Sequence, residues 1–312
     1  MITFEGKTLD LQPGQTVLAG LEAAGVSIET SCRSGACQSC LMQATDGAPP
    51  RRAQQGLSPA QVAQGLFMAC VCVPDGDLTI ARAGEAHQRV EAEVHSLDLL
   101  SDTVLRVRLK PLSQFVWRAG QFVRLITDDG LVRSYSIASA PRQAPLVELH
   151  VRMIPGGKMS DRLRRATSPG DRLTVSGPSG GCTYDGLGPD QPIILAGPGT
   201  GLAPLWGVLH DALAQGHKGP ITLYHGGLNA AGLYLQDELR AIEARHPNVT
   251  YRPCLMDRGE DLIEAVKADP ALKTAGIFLC GDGPLVERLR RTLFLAGARL
   301  ADIRADAFSA AA

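Results

Sequence analysis

The hydrophobic pattern changes character twice along the chain. Up to about residue 80 it is mixed. Ile2 to Leu11 alternates about a turn near Gly6, which predicts a hairpin. Val17 to Ala24 has helical spacing and stops at Gly25, a residue suited to the left-handed position after a helix. Gly47 to Gly56 reads as a loop. Ser58-Pro59 reads as a helix start, with Ser as N-cap and Pro at the first helical position. Leu78 to Ile80 is a short strand, and Ala81 to Gln88, without apolar periodicity, is the expected linker.

From about 90 to 185 strand-like runs dominate: Val104–Leu109, Phe122–Thr127, Ser134–Ala138, Val147–Met153 and Arg172–Ser176. Such short spacing predicts an antiparallel barrel of six or so strands. From Gln191 the pattern becomes strand–helix alternation. Strands are predicted at Ile193–Ala196, Ile221–Tyr224, Val249–Tyr251 and Ile277–Cys280, with helices at Leu202–Ala214, Tyr234–Arg245 and Pro284–Leu295. That is the signature of a doubly wound parallel α/β sheet. The predicted units are 1–82, 88–186 and 190–312, and the terminal Ala310–Ala312 is expected to fray.

Composition narrows the function classes. The net charge of −1 lacks the basic excess of a nucleic-acid binder. Prolines and glycines interrupt the uncharged stretch Pro192–His210, so no membrane helix is expected. Met1 to Glu5 lacks a basic segment leading into an apolar run, so no secretory leader is expected and a cytoplasmic protein is the default.

Of eight cysteines, five fall in the first 72 residues. Cys32, Cys37 and Cys40 have C-x4-C-x2-C spacing, and 29 residues separate Cys40 from Cys70, with Cys72 close behind. This is plant-type [2Fe–2S] spacing. Ser34, Gly35, Ala36 and Ser39 are small enough for backbone amides to approach a cluster. A zinc ribbon would use the Cys37/Cys40 pair but needs a second C-x2-C knuckle, which is absent. Spacing alone leaves Cys70 and Cys72 as rivals for the fourth position.

In the second block, Arg133-Ser134-Tyr135-Ser136 offers a fixed charge, an aromatic face and a hydroxyl to a flat, diphosphate-bearing ligand. Downstream, Gly156-Gly157-Lys158-Met159-Ser160 leads into a helix-like run, with Ser160 as N-cap, and suits a phosphate. In the third block, Gly197-Pro198-Gly199-Thr200-Gly201 joins an apolar strand to a helix, the context of a dinucleotide turn. Cys280-Gly281-Asp282 ends a later strand, where Cys280 is either a buried hydrophobe or part of a reaction site. The segment Gly226–Leu233 after the second strand of this block carries no Lys or Arg, which predicts NADH rather than NADPH.

The cysteine loop resembles the plant-type ferredoxin family, in which the fourth ligand stands four residues before a proline. Pro74 then selects Cys70, giving Cys32, Cys37, Cys40 and Cys70 as iron ligands. Gln38 departs from the glycine usual there. The later motifs resemble the ferredoxin–NAD(P)+ reductase family. The order of modules is similar to reductase components of bacterial aromatic-ring-hydroxylating dioxygenases. The resemblance implies a β-grasp α+β ferredoxin domain, an antiparallel flavin barrel and an α/β nucleotide domain. It places Arg133 on the FAD pyrophosphate with Gly157 to Ser160, Tyr135 on the isoalloxazine, and Ser136 near N5. It places Gly197, Gly199, Thr200 and Gly201 on the nicotinamide nucleotide, with Cys280, Gly281 and Asp282 facing the nicotinamide and Ser136 and Cys280 at the hydride-transfer site. Phe308, near the chain end, either covers the flavin or anchors the core. The implied activity passes electrons from NADH through FAD and the cluster to an oxygenase or a small ferredoxin. A reductase for a sugar-deoxygenating dehydratase shares the module order, and a redox sensor or carrier is the third reading.

Overall fold

A computed structural model describes residues 1–28, 30, 33–35, 38–57, 59–83, 88–142 and 145–308. Three sheets follow one another along the chain. The first contains β1 (Ile2–Phe4), β2 (Lys7–Leu9), β3 (Leu41–Asp46), β4 (Leu66–Met68) and β5 (Leu78–Arg82), in the order β2-β1-β5-β3-β4. The β1–β2 turn places Glu5 and Gly6 at φ 49° and 76°, the sign a two-residue hairpin turn demands. Helix α1 (Val17–Ala23) is capped by Thr16, whose side chain accepts from the Ala19 amide. It buries Val17, Leu18 and Leu21 with Ile2, Phe4 and Phe67. Helix α2 (Pro59–Ala63) starts at the predicted proline. Ser58, residues 84–87 of the linker and Ala310–Ala312 lie outside the described residues. The linker is shorter than predicted, because β5 continues to Arg82.

The second sheet contains β6 (Gln88–Ser101), β7 (Val104–Pro111), β8 (Phe122–Ile126), β9 (Val132–Ser136), β10 (Val147–Arg152) and β11 (Arg172–Ser179). Its order is β10-β7-β6-β11-β8-β9, with every pairing antiparallel. A bridge between Ile137 and Leu149 joins the two edges, closing a barrel. Helix α3 (Lys158–Arg165) has Gly157 at its N-cap. Ser160 is therefore not the cap: it lies inside the first turn and donates to the Gly157 carbonyl at 3.0 Å.

The third sheet contains β12 (Ile193–Pro198), β13 (Ile221–Gly227), β14 (Val249–Leu255), β15 (Gly276–Asp282) and β16 (Ile303–Phe308). The order β14-β13-β12-β15-β16 is parallel throughout. Helices α4 (Leu202–Ala214) and α5 (Gln236–Arg245) pack Leu205 and Leu239 against Leu195, Leu223 and Phe278 on one face. Helices α6 (Leu262–Lys267) and α7 (Gly283–Leu295) pack Ile263 and Leu289 against Ile194, Ile277 and Leu279 on the other. This is a doubly wound sheet, and the strand order reverses between β12 and β15, where such folds bind ligands. Among the described residues no helix is long and apolar enough to cross a membrane.

Candidate cofactor sites

The cysteine loop precedes β3. Cys40 and Cys70 are buried side by side, and the Cys70 amide donates to Cys40 Sγ at 3.4 Å. An amide aimed at a cysteine sulfur is the donor a metal-bound thiolate calls for. Cys32 and Cys37 lie outside the described residues. Cys72 is fully buried in the core with Val17 and Leu21, and its carbonyl accepts from the Val17 amide at 2.8 Å. Gln38 stands at φ 55°, a left-handed conformation that costs a non-glycine residue about 1 kcal/mol. Its side chain offsets this by donating to the Gly56 carbonyl at 3.1 Å and accepting from Gln61 at 3.3 Å. Gln38 thus holds a left-handed conformation despite its side chain.

A cleft of about 1460 Å³ opens between the barrel and the parallel sheet. It brings together Arg133, Ser134, Tyr135 and Ser136 of β9, Gly157 to Ser160 at the start of α3, Gly199 to Gly201, Gly281, Asp282 and Phe308. Two helix N-termini, of α3 and α4, therefore border one cleft, each offering backbone amides to an anion. Ser134 Oγ is buried with no hydrogen-bond partner among the described residues. The size, the paired amide sets and this orphaned hydroxyl fit a flavin dinucleotide lying beside a nicotinamide nucleotide.

Two predicted residues do not face the cleft. Gly197 is absent from its lining: a Cβ there would stand 2.3 Å from the Cys280 carbonyl oxygen, so this glycine serves close packing of β12 on β15. The Cys280 side chain is also turned away. Successive residues of a strand face opposite sides. Leu279 packs towards α6 and α7, while Cys280 packs with Leu202 and Leu205 of the opposite cluster. The thiol is fully buried, 3.4 Å from Cys182 Sγ. Burial, and then the neighbouring Cys182, push its pKa well above the usual thiol value.

Gly201 both lines the cleft and packs tightly, since a Cβ there would meet the Cys280 carbonyl oxygen at 2.2 Å. Backbone cannot yield cheaply, so Gly201→Ala is expected to destabilise the third unit by about 1–3 kcal/mol. Thermal unfolding monitored by circular dichroism checks this, and an unchanged transition contradicts the packing argument.

Asp306, which motif reading passed over, completes the cleft. Ser136 Oγ donates to Asp306 Oδ2 at 2.7 Å. Burial pushes this carboxyl up to about 6, and the hydrogen bond from Ser136 partly opposes the shift. The alternation of Ile303 to Phe308 marks a strand, and an acid two residues before a cleft-lining Phe was its available signal. His225, on β13 beside this cleft, is no source of positive charge. It is fully buried, burial pushes it down to about 4, and its Nε2 faces the Gly199 carbonyl at 3.2 Å.

Three family profiles match the three units in order. They are a 2Fe-2S iron-sulfur cluster binding domain at residues 2–75, an oxidoreductase FAD-binding domain at 91–184 and an oxidoreductase NAD-binding domain at 195–290. The fold and its sites define an iron–sulfur flavoprotein oxidoreductase. Two curated relatives span nearly its whole length. The reductase subunit of an aromatic O-demethylase from Amycolatopsis sp. is 32% identical over 92% of this chain and 91% of its own. Reductase component 2 of a terephthalate 1,2-dioxygenase from Comamonas sp. is 31% identical over 95% and 93%. A crystal structure of an Amycolatopsis cytochrome P450 reductase superposes with a TM-score of 0.70 at 28% identity, covering 99% of this chain and 98% of that one. The chain belongs to the ferredoxin–NAD(P)+ reductase family, in the group with an N-terminal [2Fe–2S] domain.

Proposed function

We propose that this chain is the reductase component of an oxygenase system, passing electrons from NADH to an aromatic-ring-hydroxylating oxygenase or its ferredoxin. The observation that carries the reading is end-to-end similarity, over more than nine-tenths of the chain, to the reductase components of an aromatic O-demethylase and a terephthalate 1,2-dioxygenase. The three units divide near residues 82–88 and 186–190.

When bound, FAD supplies acceptance of electrons in pairs and the [2Fe–2S] cluster supplies their release singly. The chain's own residues position these groups. Cys32, Cys37, Cys40 and Cys70 hold the cluster. Arg133 and the amides opening α3 hold the flavin diphosphate, and Tyr135 and Phe308 supply aromatic surface for its ring. Gly199 to Gly201 receive the nicotinamide nucleotide, with Gly281 and Asp282 towards its reacting end. Asp306 orients the Ser136 hydroxyl, which faces the reacting region.

Purified protein with both cofactors tests the reading. NADH should reduce ferricyanide through the flavin and cytochrome c through the cluster, and a purified oxygenase should turn over only when this chain is added. Turnover restored by a sugar-deoxygenating dehydratase instead would redirect the partner, and absence of NADH-dependent turnover would leave a sensor or carrier.

Two expected results follow from residue placement. Arg133→Ala should lower flavin occupancy. A charge-assisted hydrogen bond is worth roughly 1.5–3 kcal/mol, or about tenfold to 100-fold in the dissociation constant. Fluorescence titration with FAD and FMN checks it, and tighter binding of FMN would overturn the diphosphate role. For Asp306, the folded pKa is raised, so ionising it costs stability as pH rises from about 4 to about 6. Ferricyanide reduction should show an apparent pKa near 6 that Asp306→Asn abolishes, and a profile unaltered by that change argues against the assignment.

A further inference from the structure

Arg124 is buried on β8, with 7% of its surface exposed. Its neighbours Val123 and Leu125 face the barrel core, so Arg124 is on the barrel's outer face. In register it lies between Ser176 of β11 and Ser134 of β9. Its Nη2 donates to Ser176 Oγ at 2.8 Å, and its Nη1 donates to the Ser39 carbonyl at 3.3 Å. Ser39 immediately precedes Cys40. One guanidinium therefore ties the cysteine loop of the first unit to the strand of the second whose cross-strand partner, Ser134, lines the cleft.

We propose that Arg124 is the positioning residue for electron transfer between the flavin and the cluster, clamping the cysteine loop against the flavin-binding strands. The inference rests on the proposed function and goes beyond it by naming the residue that sets the separation of the two centres. Taking a guanidinium out of water is costly, so its burial here demands good acceptors. A planar fork can serve two acceptors from different units at once, and a lysine ammonium lacks that geometry. Electron-transfer rates fall exponentially with separation, so a loosened loop slows this one step and leaves reactions on either side of it unaffected.

The test uses the full chain with both cofactors, comparing Arg124→Met with Arg124→Lys. Both are expected to keep flavin and cluster absorption and NADH–ferricyanide rates within twofold of the unaltered chain. In Arg124→Met, single-turnover cluster reduction and cytochrome c reduction should fall at least tenfold. Arg124→Lys should fall about threefold, keeping charge but losing the second acceptor. Tryptic cutting between residues 82 and 89 should accelerate at least threefold in Arg124→Met, because the tie from Arg124 to the Ser39 carbonyl between the two units is lost. Unchanged cytochrome c reduction, unchanged linker cutting, or an equal fall in both electron-acceptor assays overturns the proposal. If Arg124→Met fails to retain flavin, Arg124→Lys decides alone: an unaltered cluster-reduction rate sinks the idea. Failure of the unaltered chain to oxidise NADH at all would instead count against the proposed function.

Discussion

Cys70→Ser is expected to lose the visible cluster spectrum and cytochrome c reduction together, while NADH–ferricyanide reduction survives. The cluster needs four thiolates, and a serine alcohol is a poor replacement for a soft sulfur ligand. Cys70 adjoins Cys40 closely enough for its amide to donate to Cys40 Sγ at 3.4 Å. The flavin cleft is lined by other units of the chain, so its NADH chemistry does not depend on this loop. Cys72 supplies the control. It is fully buried among apolar residues, and its neighbouring contacts are those of a small hydrophobe. Cys72→Ser should keep the cluster and lose stability, because a hydroxyl is buried without an assured partner. Cluster loss in Cys72→Ser with retention in Cys70→Ser would reverse the ligand assignment.

What the sequence disclosed follows from how local each signal is. The α4 helix falls on the predicted residues because its apolar spacing and the glycines before it are contiguous. Strand β6 carries no unbroken sequence signal, because a register shift between Val94 and Ser96 breaks its alternation. Strands β3 and β4 give no sequence signal for a different reason. Leu41-Met42 and Leu66 to Met68 are short, uniformly buried runs with no period to detect. At the site, Arg133, Tyr135 and Ser136 announce themselves as neighbours in the chain. Asp306 meets Ser136 across 170 positions, and only folding brings that pair together. Gly197 and Cys280 show the converse error. Their motifs are contiguous in the chain, but the local pattern does not say which side of a strand a residue faces; the close approach of β12 to β15 takes Gly197, and the core beneath α4 takes the Cys280 side chain.

NADH is expected to exceed NADPH in kcat/KM by roughly tenfold to 100-fold at about pH 7.5, the scale of one missing charge-assisted contact. In a doubly wound sheet the adenosine ribose lies near the end of the second strand, here β13. The cleft there is lined by Leu228 and Asn229, and beyond β14 by Met256, Glu260 and Asp261. Leu228 and Met256 are largely exposed apolar side chains, and neither balances a phosphate. Asn229 Oδ1 accepts from the Gly232 amide, and Asp261 caps α6 by accepting from Ile263 and Glu264. The cationic lining residues are elsewhere: Arg133, Arg152 and Lys158 belong to the barrel and its helix, and Arg288 to α7. Arg252 and Arg258, close in sequence, are not part of the lining. His225 is neutral in its buried position, since burial pushes its pKa down to about 4. A 2′-phosphate would therefore face two acidic side chains and no cation. Leu228→Arg supplies the missing charge and should raise kcat/KM for NADPH about tenfold while leaving NADH within a few-fold. Equal use of both nucleotides by the unaltered chain, or no gain from Leu228→Arg, would show that the ribose binds away from the end of β13.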